Sequence, residues 1–183
     1  AALPEIIMEV DRNKVYVWAN QRGMDFFGDD VIGKEAADYF VGEQNTYQAV
    51  ESVFEGTEDL VYVESWQRRK DGEARLLAWW CLTLKDPDGH LTGALSSARD
   101  ITEQRKAEQS RRESEARYQN LIDNAPLAIM VNQENRIVLA NAACLRLFGA
   151  ASPDKILGKS PFDLFHPDFH EAMRERIAAL RAG

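Results

Sequence analysis

Two histidines near the end of the chain have the spacing of a metal-binding pair. His166 and His170 are four residues apart, so one face of a helix would present both imidazoles to an ion. Pro167 lies between them and suits the first turn of a helix, which gives a second interpretation in which the imidazoles cap or solvate that turn. We favour the second interpretation and expect no metal site.

Nucleophilic chemistry has few candidates in this chain. Cys81 and Cys144 lie in separate apolar runs, which predicts two buried free thiols in a reducing compartment and no disulfide. The sequence has no glycine-rich phosphate loop, no nucleophile beside a base and no phosphoacceptor-histidine motif. We therefore expect no catalytic activity and no catalytic residues in this part of the protein.

Charge and hydropathy exclude several further classes. The formal net charge is −8, and the Lys and Arg residues stand among acidic ones, so we expect no nucleic-acid partner. No apolar run approaches the roughly 18 residues that a membrane-spanning helix needs. We expect no membrane span in this part of the protein and a cytoplasmic location.

A long sequence pattern occurs twice. Val10 to Gly28 and Val131 to Gly149 align without a gap, and each copy is followed by a Gly-Lys pair. A repeat at this distance is about the size of a small domain, which predicts a tandem array. Too little chain follows the second copy for a complete domain. We therefore expect the N-terminal half of a second domain, in a piece of a longer polypeptide.

The elements that must position any site can be predicted from hydrophobic patterning. Apolar and β-branched runs predict strands at 6–10, 15–19, 60–69, 74–85 and 90–101. Short helices are predicted after Asn20 and over 46–54, and a long helix capped by Thr102 is predicted from 103 to about 122. The expected architecture is α+β, a five-stranded antiparallel sheet with small helices on one face. The domain boundaries are 1–103, a connector helix at 104–122, and 123–183.

Several short motifs, in this order, resemble those of a known family. They are the Asn after the second strand (Asn20, Asn141), the Gly-Lys pairs, the turn 68–72 and the sequence Arg-Asp-Ile-Thr-Glu at 99–103. Together they resemble a PAS domain with its C-terminal PAC segment. The resemblance implies a tandem array from a bacterial-type sensory signalling protein, with an effector such as a histidine kinase or a cyclic-dinucleotide enzyme in the same polypeptide. It also implies that Asp100, Ile101 and Thr102 pass the signal to the connector helix.

The resemblance raises the question of bound cofactors. Haem-binding members use a histidine on the helix before the third strand, and 46–54 contains none. Flavin photosensors use a cysteine in a short helix, and the corresponding segments, 36–40 and 161–165, contain none. We expect neither haem nor a covalently reactive flavin, and the cofactor is otherwise unknown.

Strand alternation divides the central side chains between two faces of the sheet, and the family's usual orientation decides which face is inner. The inner set, a possible small-molecule pocket, is Ser65, Gln67, Leu77, Trp79, Cys81, Thr83, Ala94, Ser96 and Ala98. In the alternative, Trp79 fills that volume and the core is closed. The outer set forms an apolar patch of Tyr62, Trp66, Leu76, Trp80, Leu82 and Leu84, which predicts an interface.

Two functions remain open at this point. One is a sensor in which a small molecule changes the packing of the sheet and thereby the connector helix. The other is a dimerisation and protein-interaction module without a ligand. A homodimer is expected in both.

Overall fold

A computed structural model describes residues 5–181 and divides the chain into two compact units, Ala1–Glu108 and Gln109–Gly183. The first unit contains five strands. They are β1 (Ile6–Asp11), β2 (Tyr16–Ala19), β3 (Leu60–Arg68), β4 (Ala74–Lys85) and β5 (Leu91–Asp100). Their order across the sheet is β2-β1-β5-β4-β3, and every neighbouring pair is antiparallel. The predicted sheet is confirmed.

Short helices connect β2 to β3 and pack on one face of this sheet. They are α1 (Gln21–Phe27), a 3₁₀ turn (Ala36–Tyr39), α2 (Thr46–Ala49) and α3 (Glu51–Glu55). The single helix predicted over 46–54 is wrong, because Val50 leaves helical geometry with φ −103° and ψ 7°. Val50 and Val53 are both buried in the core. The break between the two short helices allows both valines to enter the core. The amphipathic pattern of 46–54 did not distinguish this arrangement from one continuous helix.

An asparagine joins the first hairpin to the following helix in each unit. Asn20 accepts hydrogen bonds at Oδ1 from the backbone N–H groups of Ile7 and Gly23, and its Nδ2 donates to the Glu5 carbonyl. The side chain thus caps α1 and also satisfies backbone groups at the start of β1. Asn141 is fully buried, and its Oδ1 accepts the corresponding hydrogen bonds from the backbone N–H groups of Ile129 and Cys144.

The repeated Gly-Lys pair also has a structural explanation. The Gly33 N–H donates to the Tyr16 carbonyl at 2.8 Å, and the Tyr16 N–H donates to the Lys34 carbonyl at 2.9 Å. Ile137 makes the same two bonds with Gly158 and Lys159, at 2.8 and 2.9 Å. Both glycines have positive φ, 86° and 76°, which L side chains rarely adopt. The pair fixes the returning chain along the edge of each hairpin.

The second unit contains the hairpin β6 (Met130–Gln133) and β7 (Arg136–Ala140), followed by α5 (Ala142–Leu147) and α6 (His170–Arg181). Three 3₁₀ turns, Pro153–Lys155, Pro161–Leu164 and Pro167–Phe169, lie between the two helices. Its hairpin is one residue shorter than that of the first unit. The Asn141 N–H donates to the Ile129 carbonyl, whereas the equivalent Asn20 N–H donates to the carbonyl of Ile7, which lies one residue further back along the chain. The gapless alignment therefore fails by one residue in the first strand. Within the described residues of this unit, β3, β4 and β5 have no counterpart.

Helix α4 (Thr102–Asp123) runs from the first unit into the second. It begins two residues before the predicted connector and ends one residue after it. Thr102 was expected to cap this helix. Instead, Thr102 is the first helical residue, and the Asp100 carboxylate accepts its backbone N–H at 2.9 Å. In the described part of the chain, no helix combines the length and apolarity needed to cross a bilayer.

Candidate functional site

A cavity of about 60 Å³ lies between the sheet of the first unit and its short helices. Its walls come from β1, β2, the 3₁₀ turn, α2, α3 and the inner face of β3, β4 and β5. The lining residues are Val10, Lys14, Tyr16, Ala36, Thr46, Tyr47, Val50, Phe54, Val63, Gln67, Trp79, Cys81 and Ser96. The helices therefore do not fill all of the space against the inner face of the sheet, and only a small cavity remains.

Two polar side chains of this lining are buried without a full set of partners. Gln67 is 3% exposed and Trp79 is 5% exposed. The Gln67 Nε2 donates to the Ser65 hydroxyl at 3.0 Å, but Gln67 Oε1 and the indole Trp79 Nε1 have no hydrogen-bond partner among the described residues. Unpaired buried polar atoms cost about 1–3 kcal/mol each, so they mark places where water or a ligand would bind favourably.

The rest of the lining disfavours a charge inside the cavity. Burial is the largest cause that raises the pKa of the Tyr16 phenol, and it also raises the pKa of the Cys81 thiol. Burial likewise raises the pKa of Tyr47, whose hydroxyl donates to the Glu35 carboxylate at 3.0 Å. These groups stay neutral at physiological pH because a buried anion loses its hydration.

Four of the residues predicted for the pocket line this cavity: Gln67, Trp79, Cys81 and Ser96. Five do not, although they lie on the same side of the sheet. Four of these, Ser65, Leu77, Ala94 and Ala98, are at most 1% exposed and pack inside the core. Thr83 is half-buried, and its hydroxyl donates to the Val53 and Glu58 carbonyls. Close packing and a local hydrogen bond thus remove them from the cavity wall.

The other lining residues were not predicted as part of a site. Tyr47, Val50 and Phe54 lie at helical spacing within the predicted helix 46–54, and this apolar face could have identified the second wall. Val10 and Tyr16 alternate inward on β1 and β2 in the same way. Lys14 carried no signal, because a lysine in a hairpin turn is ordinarily solvated.

The outer face of the sheet carries the predicted aromatic patch. Tyr62, Trp66, Trp80 and Leu82 are 51%, 41%, 37% and 42% exposed, respectively. Tyr62 and Trp80 are paired across β3 and β4, with ring centroids 5.2 Å apart. Leu76 had also been placed in this exposed patch, and that is wrong. It is 9% exposed and packs with Ala78 and Ile101 in a small second cluster.

Asp100, Ile101 and Thr102 attach the first turn of α4 to β4. The Ile101 N–H donates to the Leu76 carbonyl at 2.9 Å, and the Leu76 N–H donates to the Thr102 hydroxyl oxygen at 2.8 Å. That hydroxyl in turn donates to the Asp100 carboxylate at 2.6 Å. Because Trp79 lies on the same strand as Leu76, β4 connects the cavity to the helix start.

A second attachment lies on the outer face. Arg105 of α4 forms an ion pair with Glu64 of β3, and the Tyr62 hydroxyl donates to the same carboxylate oxygen. The bond from Tyr62, together with the pair to Arg105, lowers the pKa of Glu64. The first two turns of α4 are therefore held to both β3 and β4.

The histidine pair takes the capping arrangement. His166 Nδ1 accepts the Asp168 N–H at 3.4 Å, at the start of the turn Pro167–Phe169, and His170 Nε2 lies 2.9 Å from the Phe165 carbonyl. Another set, Asp86, Asp88 and His90, has ligand atoms within 4.8 Å of one another. Asp86 there already accepts the N–H groups of Asp88 and His90, as in an ordinary tight turn.

Comparison with known proteins decides the family. A family profile described as PAS fold matches residues 1–106, and one described as PAS domain matches residues 116–181. The chain belongs to the PAS family. Its second PAS match covers the unit in which the hairpin, Asn141 and the Gly-Lys pair repeat those of the first, which confirms the tandem array.

The chain is also similar to individual known proteins. Sporulation kinase A of Bacillus subtilis (strain 168) is 32% identical over 66 residues, which are 36% of this chain and 11% of the kinase. The chain thus matches about a tenth of that protein's length. A solved RNA-binding light-oxygen-voltage receptor shares the fold, with a TM-score of 0.51 and 19% identity, over 61% of this chain and 34% of the receptor. The PAS domain of a Colwellia psychrerythraea protein gives a TM-score of 0.47 and 21% identity, over 54% of this chain and 87% of that one.

Proposed function

We propose that the first PAS unit is a small-molecule sensor whose occupied cavity changes the attachment of helix α4. The PAS matches and the similarity to a sensor kinase support a module of a signal-transduction protein. The observation that carries the finer proposal is the cavity, in which Gln67 Oε1 and Trp79 Nε1 lack hydrogen-bond partners within the described part of the chain. A ligand that bonds these atoms removes a desolvation penalty, so it binds the folded state preferentially.

The route to the helix follows β4 and β5. Trp79 lies opposite Ala98, and Leu77 lies opposite Asp100, two residues further along each strand. A small rotation of the Trp79 ring therefore acts on a strand pair in which β5 ends at Asp100, two residues before the start of α4 at Thr102. We propose that the effector, a histidine kinase or a cyclic-dinucleotide enzyme, follows in the same polypeptide. Its activity then depends on the position of α4.

The cavity does not suit a large cofactor. Its 60 Å³ is well below the roughly 300–1,000 Å³ of pockets that hold drug-sized ligands. The lining of the cavity also contains no histidine to ligate iron. We therefore propose a ligand much smaller than haem or a flavin.

A cavity-filling variant tests the proposal against a matched control. Ser96 lines the cavity, whereas its neighbour Ser97 points to the other face of β5. Fragments are screened through the ¹⁵N–¹H signal of the Trp79 indole, assigned with Trp79→Phe. We expect fragments that shift this signal in the wild type and in Ser97→Leu but not in Ser96→Leu. If no fragment shows this dependence, the cavity is not a ligand site.

Coupling to α4 is tested by hydrogen exchange of residues 102–110 with and without such a fragment. A change in protection at the first turn of α4 is expected. Unchanged protection in a saturated protein would mean that the cavity and the helix are independent.

The exposed aromatic patch favours a second function, dimerisation without a ligand. We propose a second copy of the chain as its partner, because Tyr62, Trp66, Trp80 and Leu82 together leave an unusually apolar sheet face. Light scattering tests this: Trp66→Ala should lower the dimer fraction, whereas Phe169→Ala, at an exposed aromatic residue of the second unit, should not. A chain that is monomeric at all concentrations excludes this function.

A further inference from the structure

Lys14 occupies an unusual place at the rim of the cavity. It lies in the turn between β1 and β2 with a left-handed backbone, φ 64°, and its side chain is half-buried. Its Nζ lies 4.8 Å from the centroid of the Tyr47 ring and 5.0 Å from that of Phe54, and all three residues line the cavity. The two rings hold the ammonium group over the opening.

Of the described residues that line the cavity, Lys14 is the one with a charged side chain. Arg12, Glu51 and Glu55 border its solvent side, yet among the described residues no carboxylate forms an ion pair with Lys14. Lys34 has a comparable position near the Tyr39 ring, but it is paired with Asp30. The rim of the cavity thus offers a positive charge without a carboxylate partner among the described residues.

The interior offers a different chemistry. Gln67 Oε1 can accept a hydrogen bond and Trp79 Nε1 can donate one, and neither atom has a partner among residues 5–181. A hydroxyl group both donates and accepts, so it matches this pair. A cavity of about 150 Å³ holds benzene, and by that scale 60 Å³ holds about two or three non-hydrogen atoms.

We infer that the ligand is a short-chain hydroxycarboxylate. Its carboxylate pairs with Lys14 at the rim, where water still solvates it, and its hydroxyl enters the cavity towards Gln67 and Trp79. The inference rests on the proposed sensor function and names the class of ligand. It places the negative charge outside the region where burial raises the pKa of Tyr16 and Cys81.

The test measures the binding of four probes of nearly equal size through the shift of the Trp79 indole signal. They are 3-hydroxybutyrate and 4-hydroxybutyrate, butyrate without the hydroxyl, and butane-1,4-diol without the carboxylate. We expect the better hydroxybutyrate to bind at least 10-fold more tightly than either butyrate or the diol. Equal binding of all four would overturn the inference.

Variants separate the two contacts. Lys14→Met should weaken hydroxybutyrate binding about 10-fold and keep the affinity for the diol within about twofold of the wild type. Lys34→Met should change neither affinity. Gln67→Leu should bring hydroxybutyrate and butyrate within about twofold of each other. Unchanged hydroxybutyrate binding by Lys14→Met refutes the role of Lys14.

The outcome is separable from that of the sensor proposal. If other fragments bind in a way that Ser96→Leu abolishes but the hydroxybutyrates do not, the ligand class is wrong and the cavity remains a site. If nothing binds in that way, the sensor function itself fails.

Discussion

Neighbouring tryptophans on β4 provide the sharpest test of which face of the sheet is buried. Trp79 is 5% exposed and stacks on Phe27, with ring centroids 6.3 Å apart. Trp79→Ala removes an indole from a packed core, which typically costs about 3–5 kcal/mol. Trp80 is 37% exposed, and its main aromatic partner is Tyr62. An aromatic pair contributes about 0.5–1.5 kcal/mol beyond area burial, so Trp80→Ala should cost about 1 kcal/mol.

Thermal denaturation followed by far-ultraviolet circular dichroism measures both variants. For a domain of about 100 residues, each kcal/mol shifts Tm by about 4–8 °C, so the Trp79→Ala variant should melt more than about 10 °C below the wild type. The measurement is made at low protein concentration, where self-association through the outer face does not add to stability. If Trp80→Ala costs as much as Trp79→Ala, the assignment of inner and outer faces is refuted.

Three further predictions concern single contacts. Thr102→Val removes the hydroxyl that bonds the Leu76 N–H, so hydrogen exchange at that amide should rise at least 10-fold, whereas Thr102→Ser should preserve protection. Asn141→Ala loses a helix cap and leaves backbone groups unpaired, which should destabilise the second unit by about 2–4 kcal/mol in a unit-resolved exchange experiment. Asp71, held by Arg69, should titrate with a pKa of about 2, so the pair persists above the usual carboxyl pKa and is lost as the pH falls towards 2. In Arg69→Gln the NMR midpoint should rise, and an unchanged midpoint would contradict the assigned cause.

The sequence alone determined the architecture of the first unit. Alternating apolar residues specify strands locally, and turn residues separate them, so all five strands could be placed to within one or two residues. The repeated Asn and Gly-Lys positions were recognisable because each serves the backbone of its own hairpin. Such short-range constraints are written directly into the order of residues.

The boundaries of the cavity were decided only by tertiary structure. Ser65, Gln67 and Thr83 have similar polarity and all lie on the inner side of the sheet. Gln67 lines the cavity, Ser65 is closed off by packing, and Thr83 bonds to a loop. The difference depends on what each side chain meets from distant segments of the chain.

Lys14 and Leu76 show the same limit from opposite directions. The hairpin turn suggested a solvated lysine, but Tyr47 and Phe54, more than 30 positions away, hold its ammonium group at the cavity rim. The outward parity of Leu76 suggested exposure, but Ile101 covers it where the chain leaves β5. Alternation along a strand determines which face a side chain occupies. Whether the side chain is buried on that face depends on which other segments fold over it. Those segments lie far away in the sequence, so alternation along the strand does not reveal them.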